Sequence, residues 1–92
     1  MNHYKFIKQI AKHYGFRNQG LKLAEEASEL ASAMCKLLTG EVGRSAVIEE
    51  MADTMIMIEQ MQYLMHIDNQ TMKNALESKL NRQISRINSQ NR

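Results

Sequence analysis

No proline interrupts the 92 residues of this chain, and only four are glycine. Proline removes a backbone donor and glycine adds conformational freedom, so a chain this poor in both has little to stop a helix from within. Ala, Leu, Met, Glu, Lys and Gln are abundant, and these residues lose least on entering a helix. Apolar residues recur at intervals of three and four rather than alternating, so the fold is expected to be all-α. A chain of this length makes one domain, 1–92, that buries a limited fraction of its surface and so invites an added interface.

Caps and periodicity place four helices. The first spans about 2–14, with Tyr4, Ile7, Ile10, Ala11 and Tyr14 as its apolar stripe and Gly15 as its stop. The second is capped by Asn18 and runs to 39, where Gly40 supplies a left-handed end. Its apolar face is Leu23, Ala27, Leu30, Met34, Leu37 and Leu38, with Glu26 on the edge. The third is capped by Ser45 and continues to about 66 through Val47, Met51, Thr54, Met57, Ile58, Met61, Leu64 and Met65. Ile48, Met55, Ile56 and Tyr63 make its other side apolar too, so it should be covered twice. The fourth begins at Asp68 or Asn69 and runs to about 88 on a stripe of Met72, Leu76, Leu80, Ile84 and Ile87. The expected architecture is a bundle of about four helices completed by oligomerisation, a homodimer or homotetramer built around the third helix.

Charge is distributed unevenly. Residues 1–22 carry Lys5, Lys8, Lys12, Arg17 and Lys22 and no acid, 23–68 carry nine of the ten acids, and 69–92 are basic again, within a formal net charge of +2. A polymer-binding surface needs no acidic centre, which makes nucleic acid an unfavoured partner, whereas a site for cations and a polyphosphate uses both signs. No apolar stretch reaches membrane-spanning length and the lysine-interrupted N-terminus is not a secretory signal, so a soluble cytoplasmic protein with no membrane partner is expected. The lone Cys35 is read as a small apolar filler.

The acidic centre has a pattern. Glu26 and Glu29 are three residues apart, as are Glu50 and Asp53, and residues so spaced share one face of a helix. Two such pairs on antiparallel helices converge four carboxylates, which their mutual repulsion allows only with cations present. Glu50 lies within the apolar face of its helix, where a bare carboxylate is costly. Oxygen ligands without nitrogen or sulfur suit Mg²⁺ or Mn²⁺. The Glu-x-x-His motif of di-iron bundles is missing, no phosphate-binding glycine loop is present, and no nucleophile stands beside a histidine base. On the fourth helix Lys79, Arg82 and Arg86 form a cationic flank, either a solvated cover for apolar surface or a clamp for phosphates.

The order EExxE, a gap of 20 residues, then ExxD resembles the MazG-like all-α nucleoside triphosphate pyrophosphohydrolases over about 16–87, with Glu25, Glu26 and Glu29 in the first element and Glu50 and Asp53 in the second. The approach QGLKLAEEASEL, Gln19 to Leu30, is similar as well. The resemblance implies an oligomeric helical enzyme that uses Mg²⁺ to hydrolyse an NTP or dNTP to a monophosphate and pyrophosphate. By it, Glu26, Glu29, Glu50 and Asp53 are metal ligands and Glu25 an auxiliary acid. Lys79, Arg82 and Arg86 bind the β and γ phosphates, and Gln19, with Asn18 and Phe16, lies at the base or sugar. Two other readings stay open: a phosphoribosyl-ATP pyrophosphohydrolase, whose carboxylate pattern is related, and a non-catalytic helical module for nucleic acid or a partner protein.

Overall fold

A computed structural model describes residues 2–91. The all-α class is borne out, with three helices where four were expected: α1 His3–Leu38, α2 Arg44–Leu64 and α3 Asn69–Gln90. No helix among the described residues is long and apolar enough to cross a membrane.

The first two expected helices are one element because Gly15 bends the chain without breaking it. Its φ of 85° and ψ of 170° are reached readily only by glycine, and helix resumes on either side. Asn18, expected to cap a new helix, instead donates its side-chain amide to the Tyr14 carbonyl at 2.8 Å, supplying a partner for a carbonyl at the kink. At the other end of α1 the Glu41 amide donates to the Lys36 carbonyl (2.8 Å) and the Gly40 amide to Leu37 (3.1 Å). This is a Schellman closure, with Gly40 left-handed at φ 80°.

Helix α2 begins one residue after Gly43, without a side-chain cap, rather than at Ser45. It closes by the same scheme as α1, Ile67 donating to Gln62 at 3.0 Å and His66 to Tyr63 at 3.1 Å. His66 takes the left-handed position there, at φ 55°. Asp68 caps α3 as expected, its carboxylate accepting from the Thr71 amide at 2.7 Å.

The core lies between α1 and α2, which run antiparallel. Two cross-links fix the register: the Gln19 amide donates to the Gln60 side chain at 2.7 Å, and the Thr54 hydroxyl lies 3.4 Å from the Glu26 carbonyl. Ile7 and Ala11 of α1 and Val47, Met57 and Met61 of α2 are the buried apolar residues. Along α1 the residues turned inward are Gln19, Leu23, Glu26, Leu30, Ala33 and Leu37, and along α2 they are Val47, Glu50, Thr54, Met57, Met61 and Leu64. Both series step by three and four, the spacing of a helix–helix seam. The α1 stripe is rotated from the expected one, so that Ala27, Met34 and Leu38 face outward and Glu26 moves from the edge to the middle of the contact. Cys35, expected as filler, is exposed.

Helix α3 stands apart. Neither α1 nor α2 packs on it, and Leu76, Leu80, Ile84 and Ile87 are all exposed. The radius of gyration is 16.3 Å, against about 12 Å for a compact domain of this length. Ile48, Met55 and Ile56 on the outer side of α2 are exposed too. The expectation of four helices completed by oligomerisation is corrected on both counts: there are three helices, because Gly15 kinks rather than ends the first, and the described residues hold no evidence of an assembly.

Candidate metal centre

Helix geometry brings the two acidic motifs together. Glu26 comes from the middle of the inward stripe of α1 and Glu50 from that of α2, so antiparallel packing faces one with the other. Thr54 ties the helices beside them: its hydroxyl lies 2.8 Å from the Glu50 carbonyl, one turn back, and 3.4 Å from the Glu26 carbonyl across the seam.

Two groups of carboxylates are placed to coordinate a divalent cation. Glu25, Glu26 and Glu29 form one, and Glu26, Glu50 and Asp53 the other, each residue offering an oxygen within 4.8 Å of the others in its group. Opposite oxygens around Mg²⁺ stand about 4.2 Å apart, twice its bond length, so a small closure would bring either group into a first coordination shell. Glu26 belongs to both groups and is the hub. It is only 6% exposed, and its Oε2 is buried with no hydrogen-bond partner. Oε2 of the half-buried Glu50 is likewise buried and unpartnered. A buried carboxylate oxygen without a donor is unfavourable by several kcal/mol in ordinary circumstances. Two of them fall in one group of three carboxylates that could hold a divalent cation.

The surrounding charges show the strain of gathering acids. The Glu29 carboxyl is pushed above its ordinary range, first by the charge of Glu26, then by burial, then by Glu50 and Glu25. Lys22 is the cation at hand: its Nζ lies 3.3 Å from Glu26 Oε1 and 3.8 Å from Glu25 Oε1. The hydrogen bond to Glu26 is the leading cause that holds its ammonium above the ordinary lysine range. Two clefts reach the carboxylates. One of about 310 Å³ is lined by Lys22, Glu26, Asp53, Ile56 and Met57, and another of about 260 Å³ by residues that include Glu29, Lys36, Glu49 and Glu50.

No protein-family model, curated protein or solved structure matches the chain. The site stands on its own geometry.

That geometry gathers Glu25, Glu26, Glu29, Glu50 and Asp53. It does not bring Lys79, Arg82 or Arg86 to them, since all three lie on the unpacked α3. Gln19, expected at the substrate, is 7% exposed and turned into the seam, where it donates to Gln60, itself 2% exposed. Asn18 is engaged with the Tyr14 carbonyl, and Phe16 is exposed near the kink. Sequence reasoning passed over three residues of the site. Lys22 had a readable signal, standing four residues before Glu26 and three before Glu25, the separations at which helical charges pair. Thr54 falls in the series expected to form the apolar face, although a hydroxyl one turn after Glu50 is placed to bond back to its carbonyl. Gln60 gave no signal, because a buried amide pair is known only once the helices are in register.

Proposed function

We propose that this chain is a metal-dependent nucleoside triphosphate pyrophosphohydrolase, in which Glu26, Glu29, Glu50 and Asp53 hold Mg²⁺ or Mn²⁺ and Glu25 supports them from outside. The reaction cleaves an NTP or dNTP at the α-phosphate, giving a monophosphate and pyrophosphate. The observation that carries this reading is the pair of buried, unpartnered oxygens, Glu26 Oε2 and Glu50 Oε2, within a group of three converging carboxylates. Hard, anionic, desolvated donors match a hard divalent cation and no softer metal.

Such a cation, when bound, polarises phosphate oxygens and lowers the pKa of a water. The chain supplies the rest. Val47, Thr54 and Met57 are buried on the face of α2 that carries Glu50, so the inner side of the site is packed. A carboxylate of the same group takes the proton of the water that attacks the α-phosphorus, and pyrophosphate departs with the electron pair of the broken P–O bond.

Cations for the β and γ phosphates are assigned to Lys79, Arg82 and Arg86. Lys79 lies ten residues into α3 and Asp53 eleven residues back from the end of α2, so the two are about 15 and 16 Å from the intervening turn. Arg82 and Glu50 match in the same way. If α3 folded back along α2, its basic flank would lie level with the carboxylates, and opposite charges there would favour that closure.

The test is pyrophosphate release from a panel of NTPs, dNTPs and phosphoribosyl-ATP, with and without Mg²⁺, with Glu50→Gln as control. Release that requires Mg²⁺ and falls by at least about 100-fold in Glu50→Gln is expected. A sole preference for phosphoribosyl-ATP would reassign the substrate within the same chemistry. No release from any of them by the folded protein would leave the exposed basic flank of α3 as the functional surface, and salt-sensitive binding to nucleic acid or an acidic partner would then be the reading to pursue.

A further inference from the structure

Lys22 is the one cation that forms an ion pair with the carboxylates among the described residues, and it pairs with the hub. Its partner Glu26 is 6% exposed and has one oxygen, Oε1, turned to the ammonium at 3.3 Å while the other is buried with no partner. The Lys22 side chain is 49% exposed and lines the same cleft as Asp53 and Glu26. We infer that Lys22 is the resident counter-ion of the metal-free cluster, which yields Glu26 to the divalent cation and turns its ammonium into the cleft to hold a phosphate oxygen of the nucleotide. This inference rests on the metal-binding reading of the site proposed above.

Physical reasons favour such an exchange. A cation entering at Glu26 would stand close to an ammonium now 3.3 Å from a ligand oxygen, and like charges at that range repel strongly in a partly desolvated site. The lysine stem has four rotatable carbons and the head is a compact charge with three equivalent donors, so it can leave one oxygen for another without reorienting a planar group. The cleft gives it somewhere to go, with Ile56 and Met57 as apolar walls that leave the ammonium and the carboxylates as its charged groups. A polyphosphate bridged to the cation brings new acceptors to the place the ammonium must move toward. Lys22 is therefore a residue that binds substrate only after the metal has arrived, which orders the two binding events.

The experiment uses the full chain and two probes. Mn²⁺ alone is titrated calorimetrically into the wild type, K22M and K22Q, and inorganic tripolyphosphate is then titrated into each protein saturated with Mn²⁺; far-UV circular dichroism verifies that the variants fold. The inference expects opposite signs. Without the competing ammonium, both variants bind Mn²⁺ about fivefold more tightly than the wild type, and their Mn²⁺ forms bind tripolyphosphate about fivefold more weakly. Mn²⁺ affinity that is unchanged or weaker in folded K22M and K22Q overturns the role of Lys22 as counter-ion, and unchanged tripolyphosphate affinity overturns its role on phosphate. A folded wild type that binds no Mn²⁺ overturns the metal centre itself, an outcome distinct from either of these.

Discussion

The seam between α1 and α2 and the apolar stripe of α3 differ in a way that composition conceals. The α3 stripe is the more regular, with Leu76, Leu80, Ile84 and Ile87 at helical spacing, yet it buries nothing. The seam is interrupted by Gln19, Glu26, Glu50, Thr54 and Gln60, yet it is the core. Amphipathicity says that a helix has a face to bury; it does not say what against. What distinguishes the seam is that its polar residues have partners across it, Gln19 with Gln60 and Thr54 with the Glu26 backbone, so that one register satisfies them and others do not. The exceptions, one oxygen each on Glu26 and Glu50, sit where the function is proposed.

The most direct way to break this comparison is to truncate one residue on each side. Met57→Ala should destabilise the chain by about 2–5 kcal/mol, because Met57 is buried in the seam. Leu80→Ala on α3 should change stability by no more than about 0.5 kcal/mol. Urea denaturation of the two variants decides it. A Leu80→Ala cost comparable to that of Met57→Ala would mean that α3 is covered in solution and that the two regions are alike.

Next in size is the bend that allows α1 to lay both of its halves along α2. Gly15 occupies a conformation closed to residues with a Cβ, so Gly15→Ala should destabilise by about 1–3 kcal/mol in the same assay, although nothing lies within 4 Å of the added carbon. The opposite sign is expected at His66, which is left-handed just before α3. Its replacement by glycine should stabilise the chain by up to about 1 kcal/mol.

The register claim is sharpened by Gln60→Leu. This strands the buried Gln19 amide and should cost about 1–3 kcal/mol, whereas Gln19→Leu with Gln60→Leu should recover most of that loss by removing both partners together. Equal losses in the single and double variants would show that packing volume, not the amide pair, is what matters there.

How much of this was legible in the sequence depends on whether a feature is local. The helical class, the stop at Gly40 and the cap at Asp68 follow from residues within a turn of each other, and all three stand in the structure. Glu50 was legible as a carboxylate within an apolar face. The phase of α1 was not. At about 100° per residue, Leu23 and Leu30 fit both the expected stripe and the observed one, and the choice between them is made by what α2 offers opposite. Gly15 reads as a stop because glycine usually ends helices; here it bends one at φ 85° and ψ 170°, with the Asn18 side chain donating to the Tyr14 carbonyl beside the bend. The solitude of α3 was illegible for the reason already given, since a stripe carries no address.

The smallest expected effect concerns charge at the edge of the seam and separates a coupled cluster from a set of independent surface acids. The Glu29 carboxyl lies above its ordinary value of 4.5, with the charge of Glu26 the leading cause. For an acid raised in the folded state the native chain binds more protons than the unfolded chain between the unfolded value and the raised one. Stability from this group is therefore greatest below that window and declines as pH rises through it. Two-dimensional NMR of the side-chain carboxyls should find Glu29 titrating above its ordinary value of 4.5, and Glu26→Gln should bring it back toward that value. Saturating Mn²⁺, if it takes the cluster, should remove the decline in stability across the window, because the cation supplies the positive charge that the proton supplied. If Glu29 titrated at its ordinary value and Glu26→Gln left it unmoved, the acids at the seam would be independent of one another, and the electrostatic distinction of this region would vanish.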